Sequence, residues 1–204
     1  MQMLHRFLAA IQEYVQDIRS RSAACRYRPK YCPMCQERHP LRAHGFYYRT
    51  LVEVQFDEQI PVRRYLCLLC RRTVSLLPQR ALPYLRFGIA IIRLFLVARL
   101  LEGRTLREAA RTALQPYMAY QRGQAWVRRF RAQAATLCLD LANLVAVPQA
   151  ADFVTRALRM LEAIGWIPAH CYLFAELRMH LLGWPPFLAP RGCRVSFAPS
   201  SPGP

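Results

Sequence analysis

Two pairs of cysteines constrain this chain more than any other feature. They are Cys32-Pro33-Met34-Cys35 and Cys67-Leu68-Leu69-Cys70, and residues 36–66 separate the pairs. Each C-x2-C pair can form a knuckle whose backbone N–H groups point at the thiolates, and two knuckles supply the four tetrahedral sulfurs that zinc prefers. Protein ligands then fill every position, so the sequence predicts one structural Zn2+ ion held by Cys32, Cys35, Cys67 and Cys70. Buried free cysteines and a redox pair are the alternatives.

Other potential ligands lie near or far from these pairs. His39 and His44 are close enough in sequence to compete as ligands, but the sulfur set is already complete, which predicts surface or hairpin positions for both. The remaining cysteines have no matching partners and are interpreted as structural or incidental: Cys25, Cys138, Cys171 and Cys193.

The segment between the cysteine pairs has the pattern of a β-hairpin. Apolar residues alternate along residues 46–56, as a half-buried strand requires: Phe46, Tyr48, Val52, Val54 and Phe56. Residues 57–59 supply a polar turn, and Ile60, Val62 and Leu66 share one face of the return strand. Pro61 places that strand at an edge or starts it later.

Helical patterns dominate elsewhere. An apolar stripe predicts a helix over residues 3–19, joined by a basic linker to the cysteines. Residues 89–101 read as a buried helix, and Thr105 with Glu108 forms a capping box that starts the next one. A further helix is expected between residues 117 and 146, then helices over 152–164 and 170–182.

These patterns predict an α+β chain with a small zinc ribbon followed by a mostly helical region. The expected divisions are an N-terminal helix and linker (1–30), the zinc ribbon (31–80), a helix-turn-helix-like region (84–147), C-terminal helices (148–184) and a disordered tail (185–204).

The charge of the chain favours a polyanionic partner. The formal net charge is +17, from 29 basic and 12 acidic residues, and Lys30 is the only lysine. Arginine offers a planar fork of donors that suits phosphate oxygens and guanine edges, which ranks nucleic acid first. Arginine usage in a GC-rich genome is the alternative. With no secretory signal at residues 1–14 and Arg93 and Arg99 interrupting the most apolar stretch, a cytoplasmic protein is expected.

The capped helix at Thr105, a break at residues 114–117 and a following helix suggest a helix-turn-helix. Gln121, Arg122 and Gln124 are the expected readers of base edges, and Arg128, Arg129 and Arg131 the expected phosphate contacts. Arg63, Arg64, Arg71 and Arg72 of the ribbon complete the predicted DNA-binding set. Two packed helices with solvated arginines explain the same pattern without DNA.

Several motifs resemble the N-terminal zinc ribbon and helix-turn-helix of bacterial insertion-sequence transposases, and a related family of uncharacterised bacterial proteins that carries this ribbon. The similar runs are Cys32-Pro33-x-Cys35, His44-Gly45-Phe46-Tyr47-x-Arg49, Val62-x-Arg64-Tyr65-x-Cys67-x2-Cys70 and Arg71-Arg72-Thr73-Val74-Ser75-Leu76-Leu77-Pro78. The resemblance spans roughly residues 30–135. It implies binding to double-stranded DNA, with a transposase or a second copy of the chain as a further partner.

The resemblance does not extend to strand transfer. A transposase nuclease needs three carboxylates that hold two metal ions, whereas the chain after Phe130 offers only Asp140, Asp152, Glu162 and Glu176. The expectation is therefore a non-enzymatic DNA-binding protein: a truncated transposase, an accessory or regulatory subunit, or a domesticated DNA binder. A protein-interaction adaptor with a structural zinc ribbon is the alternative.

Overall fold

A computed structural model describes residues 2–5, 7 and 10–184, without the side chain of Arg21. The strands are β1 Gln2–His5, β2 Arg42–Glu53, β3 Phe56–Leu66 and β4 Thr73–Pro78. The helices are α1 Ile11–Ile18, α2 Arg21–Arg26, α3 Ile89–Leu100, α4 Leu106–Thr112, α5 Tyr120–Leu141, α6 Phe153–Ile164 and α7 Trp166–Ala175. Across these described residues the fold is mixed α+β, as the sequence predicts, with one four-stranded sheet and seven helices.

The sheet has the strand order β1-β4-β3-β2. Strands β2 and β3 form an antiparallel hairpin, β4 pairs antiparallel with β3, and β1 pairs parallel with β4. The predicted turn at residues 57–59 is wrong, because Asp57, Glu58 and Gln59 pair with residues of β2 and the chain turns at residues 54–55. The polar run is the exposed start of β3, and sequence polarity alone did not separate it from a loop.

The predicted inward face of β2 is confirmed at Val52 and wrong at most other positions. Phe46, Tyr48 and Val54 are exposed, whereas Leu51 is fully buried under α1 and Val52 packs into the helical core on the other side of the sheet. A bulge between Ala43 and Phe46 shifts the register of the hairpin, with Gly45 at a φ of 78°. The return strand follows the prediction for Ile60 and Val62, which are fully buried, and less for Leu66, which is half-buried.

The N-terminal prediction needs two corrections. Residues 2–5 form β1 rather than the first turn of a helix, because they continue the sheet beside β4. The predicted linker contains the short helix α2. Ser20 caps its N-terminus, because Ser20 Oγ accepts a hydrogen bond from the backbone N–H of Ala23. Helix α1 packs on β3, and the Tyr14 hydroxyl donates to the carbonyl of Pro61 at 2.9 Å. The expectation that Pro61 places this strand at an edge or delays its start is wrong, because β3 begins at Phe56 and lies between β4 and β2. Pro61 is tolerated because β3 pairs only with β2 at that position.

The largest core lies among helices α3 to α7. The predicted capping box of α4 is confirmed, with Thr105 Oγ1 accepting the Glu108 N–H and the Glu108 carboxylate accepting the Thr105 N–H. Phe95, Trp126 and Phe130 fill the interior between α3 and α5. Gly123 permits this close packing, since a Cβ there would lie 2.9 Å from the Phe95 ring.

The last predicted helix, over residues 170–182, differs from the prediction at both ends, since α7 spans Trp166–Ala175. Asp152 caps α6, accepting the N–H groups of Val154 and Thr155. Helix α7 begins at Trp166 rather than 170, because Pro168 occupies its first turn, where a missing N–H costs nothing. The tail predicted for residues 185–204 lies outside the described residues. No helix in the described part combines the length and apolar character needed to cross a bilayer.

Candidate metal centre and basic helical surface

The four predicted cysteines converge on one point. Their sulfurs all lie within 4.8 Å of one another, with Cys32 Sγ 3.7 Å from Cys70 Sγ and Cys35 Sγ 3.8 Å from Cys67 Sγ. Cys32 and Cys67 are fully buried, and Cys35 and Cys70 are half-buried. These four residues are therefore positioned to bind a single metal ion.

The two C-x2-C segments share two backbone features. The residue after each second cysteine, Gln36 or Arg71, has a positive φ of 61° or 57°. The N–H of Cys32 donates to the carbonyl of Glu37, and in the same way the N–H of Cys67 donates to the carbonyl of Arg72. A left-handed backbone conformation is unfavourable for residues other than glycine. Its repetition at matching positions indicates that both loops are shaped to aim two sulfurs inward.

Strands and a small apolar cluster hold the two loops together. Cys67 follows the end of β3 and Cys70 precedes β4, so the second loop is the connection between two paired strands. Leu41, Tyr65 and Val74 are fully buried beside Cys32 and Cys67. The Tyr65 hydroxyl reaches the carbonyl of Ala24 in α2, which ties the cysteine end of the sheet to the N-terminal segment.

The surroundings of Cys67 favour its thiolate. Burial works against the charged form, but hydrogen bonds, first from the backbone N–H and thiol of Cys70, outweigh it and lower the pKa of Cys67 to about 6. His39 also contributes, since its Nε2 lies 3.1 Å from Cys67 Sγ. The prediction of a surface position for His39 is therefore incomplete. His44, by contrast, is exposed on β2.

The predicted DNA contacts of the ribbon divide into buried and exposed residues. Arg63 is only 5% exposed, donates to the carbonyls of Ile18 and Ser20, and stacks on Phe46 with its Cζ 4.3 Å from the ring centroid. The prediction that Arg63 contacts DNA is wrong, because its guanidinium N–H groups are used within the fold to join α1 to β3. Arg64 is half-buried beside Thr73, while Arg71 and Arg72 are exposed next to the second loop.

Helix α5 presents most of the remaining predicted contacts on one side. Gln121, Gln124, Arg128 and Arg131 are all exposed, and their spacing of three or four residues aligns them along one face of the helix. The buried residues of α5, among them Trp126 and Phe130, occupy the other face. Asp140, near the far end, is the only acidic residue of this helix.

Arg122 and Arg129 lie off this exposed face. Arg129 donates through Nε to the carbonyl of Leu182 at 2.9 Å and through a terminal nitrogen to that of Gly183. The structure therefore gives Arg129 a role in fixing residues 182–183 to α5. The half-buried Arg122 packs on Phe87, with its Cζ 5.2 Å from the ring centroid.

The carboxylates weighed at the sequence level are dispersed, and Asp152 and Glu162 have separate local roles. Asp152 caps α6, and Glu162 accepts hydrogen bonds from Arg93 and from Trp166 Nε1. Burial raises the pKa of Asp140 on α5. Within the described residues, the four cysteines form the metal-ligating cluster, and these carboxylates do not join into another.

Comparison with known proteins adds one similarity. Residues 32–122 match a family model described as Domain of unknown function (DUF6431). The match covers less than half of the chain and runs from Cys32 to Arg122, so it contains all four cysteines and ends in the first turn of α5. No curated protein and no solved structure matches the chain.

Proposed function

We propose that this chain is a zinc-ribbon DNA-binding protein of transposase ancestry that performs no strand transfer itself and acts as a truncated transposase or as an accessory or regulatory DNA binder. The polar, arginine-bearing face of α5 carries the proposal. Gln121, Gln124, Arg128 and Arg131 project from a rigid helix whose opposite face is held in the main core. A helix of this kind fits the major groove of B-DNA, where glutamine and arginine read base edges and phosphates.

Zinc is the metal that best fits the cysteine cluster. A regular tetrahedron with Zn–S bonds of about 2.3 Å has S···S edges of about 3.8 Å. The Cys32–Cys70 and Cys35–Cys67 separations of 3.7 and 3.8 Å match this edge, and all four sulfurs lie within 4.8 Å of one another. Four sulfurs satisfy a tetrahedral ion and leave no position for a catalytic water, so the role is structural. Bound Zn2+ would stabilise a ribbon composed of the loops at Cys32–Cys35 and Cys67–Cys70 with the β2–β3 hairpin.

In this arrangement α4, the connection over residues 113–119 and α5 form the helix-turn-helix. The capping box starts α4, and Leu114 at a φ of 56° redirects the chain toward α5. Arg71 and Arg72, exposed beside the second cysteine loop, provide a separate basic surface for the phosphate backbone.

The test is selection of binding sites from random duplexes by the zinc-loaded full chain, followed by titrations at several salt concentrations. Micromolar or tighter binding that weakens steeply with salt is the expected result, because arginines that neutralise phosphates release counterions. A folded, zinc-loaded protein that retains no duplex at low salt would overturn the proposal.

Variants of α5 make the test residue-specific. Gln121→Ala should relax the sequence preference at one base pair, whereas Arg128→Ala should weaken binding equally on selected and scrambled duplexes. Arg19→Ala, which removes an exposed charge at the end of α1, is the control. Equal effects of all three variants would show that α5 does not read DNA.

The apolar tips of the cysteine loops favour a second candidate, a protein-interaction adaptor. Met34, Leu68 and Leu69 are 50%, 47% and 64% exposed although they are large and apolar. A defined partner that binds after nuclease treatment, and is lost in a Met34→Ser/Leu69→Ser double variant, would support this candidate.

A further inference from the structure

Two arginines from distant parts of the sequence pack on one aromatic ring. Arg86 Cζ lies 4.8 Å and Arg122 Cζ 5.2 Å from the centroid of Phe87, so the two Cζ atoms are at most about 10 Å apart. Arg86 precedes α3 and Arg122 lies in the first turn of α5. The pair therefore bridges the sheet side of the molecule and the proposed recognition helix.

The ring between them is held rigidly. Phe87 is 2% exposed and packs edge-on against Trp126 of α5 at a centroid distance of 5.1 Å. Its backbone is clamped to β2, where Val52 N–H donates to Arg86 O and Gly88 N–H donates to Val52 O. Arg122 and Trp126 are one helical turn apart, so both meet Phe87 from the same side of α5. Both guanidinium groups thus pack on a ring that is held in place by β2 and α5.

Arg86 and Arg122 form no ion pair with an acidic residue of the described chain. In the described part of the chain the ion pairs involve Arg26, Arg93 and Arg104, and neither Arg86 nor Arg122 is among them. An open concavity beside Arg86, of about 330 Å3, is lined by Arg49, Tyr84 and other described residues that include no carboxylate. Desolvation and the neighbouring Arg86 both lower the pKa of Arg122, as expected for a cation without a counterion.

We propose that Arg86 and Arg122 form a clamp for the phosphodiester backbone of duplex DNA. The inference rests on the DNA-binding function proposed above and changes the role of Arg122, which the sequence predicted as a reader of base edges. Two guanidiniums fixed on a ring and lacking a protein counterion offer forked donors to phosphate oxygens. The clamp would hold the DNA backbone at two points, Arg122 at the N-terminus of α5 and Arg86 before α3. It would thereby set how deeply the first turn of α5 enters the major groove.

The test compares Arg86→Gln and Arg122→Gln with the control Arg19→Gln, each in the zinc-loaded full chain. Glutamine keeps part of the stem on Phe87 while removing the charge. The salt dependence of binding is measured on the selected duplex and on its scrambled form. Each clamp variant should lower the magnitude of the salt slope by about 0.9 and weaken binding about 5- to 10-fold near 0.1 M salt, equally on both duplexes.

The outcomes separate this inference from the function on which it rests. If the unsubstituted chain binds no duplex, both fail. If it binds and the clamp variants change the slope no more than Arg19→Gln does, only the clamp fails. Loss of preference at a single base pair in Arg122→Gln would restore the base-reading role and overturn the clamp. Thermal unfolding identifies any variant that is misfolded, and Arg86→Met or Arg122→Met, which keeps an apolar stem, then replaces it.

Discussion

The cysteine end of the sheet and the helical half of the molecule are stabilised in different ways. The helical half has one large, continuous cluster of buried residues, with Phe95, Trp126 and Phe130 near its centre. The buried cluster at the cysteine end is far smaller, and Cys32 and Cys67 are themselves members of it. Apolar burial contributes about 25 cal/mol per Å2, so the larger cluster can stabilise its helices unaided. If the proposed zinc is bound, the small cluster depends on the metal ion that joins its sulfurs.

The β2–β3 hairpin contributes residues both to the helical cluster and to the cluster at the cysteine end. Its far end, with Leu51, Ile60 and Val62, is covered by α1 in a separate apolar cluster. Only the near end, where residues 42–43 pair with 65–66, adjoins the sulfurs. The comparison therefore predicts a boundary of metal dependence within the hairpin itself, not at the limits of the predicted zinc ribbon.

Cys67→Ser should have the largest effect. It removes a ligand from the proposed zinc site, and structural zinc contributes folding energy on the order of 10 kcal/mol in small modules. Hydrogen exchange should rise sharply in residues 31–43 and 64–74 and remain slow at Leu51, Ile60 and throughout α3 to α6.

Cys25→Ser is the matched control, because Cys25 is an exposed thiol on α2 outside the sulfur cluster. It should keep one zinc per chain and native exchange. A Cys67→Ser protein with stoichiometric zinc and a protected near end would refute the assignment, and unfolding that spreads into the helices would erase the proposed boundary.

Phe130→Ala should produce the next largest effect, on the other side of the comparison. Phe130 is fully buried in the helical cluster, and truncating such a side chain removes its burial and leaves a cavity, at a cost of about 3–5 kcal/mol. Chemical denaturation should show this loss, while zinc stoichiometry of the folded protein is unchanged. Loss of zinc under native conditions would show that the two regions are not independently stabilised.

The sequence predicted each region to the extent that the signal was local. The cysteine spacing, the Thr105–Glu108 capping box and the long apolar run of α3 are short-range patterns, and the structure places all three as expected. β1 could not be found this way, because residues 2–5 become a strand only by pairing with residues 75–78 of β4, far along the chain. The inward face of β2 was misjudged because both faces of that strand are partly covered, by α1 at Leu51 and by the helical core at Val52.

The roles of the predicted site residues also depend on contacts that are distant in sequence. The sequence alone does not distinguish Arg63 from Arg71 and Arg72. Only the fold shows that Arg63 is buried and donates to two backbone carbonyls of the N-terminal segment. His39 follows closely after Cys35, a spacing that hinted at proximity to the cluster, but its contact with Cys67 across the fold could not be read from it.

His39→Ala should have an intermediate effect confined to the cysteine end. A hydrogen bond from Nε2–H to the Cys67 thiolate would orient that ligand, and removal of such outer partners costs about 10- to 100-fold in metal affinity. Competition with a chelator measures the change. His44→Ala, an exposed histidine on β2, is the matched control and should bind zinc like the unsubstituted chain. Equal affinities of the two variants would show that the His39 contact is incidental.

Thr105→Ala should have the smallest effect, confined to the helical half. The Thr105 hydroxyl accepts the Glu108 N–H at 3.3 Å, and its loss leaves one end of α4 uncapped at a cost of about 1 kcal/mol. Thr105→Ser retains the hydroxyl and should recover most of that stability in denaturant titrations.

The loss of unfolding free energy caused by Thr105→Ala should be the same in the unsubstituted chain and in the His39→Ala variant, whose zinc affinity is weakened. Sites without shared partners contribute additively. Non-additive losses in the double variant would mean that α4 senses the cysteine cluster, and the separation between the two regions would then have to be abandoned.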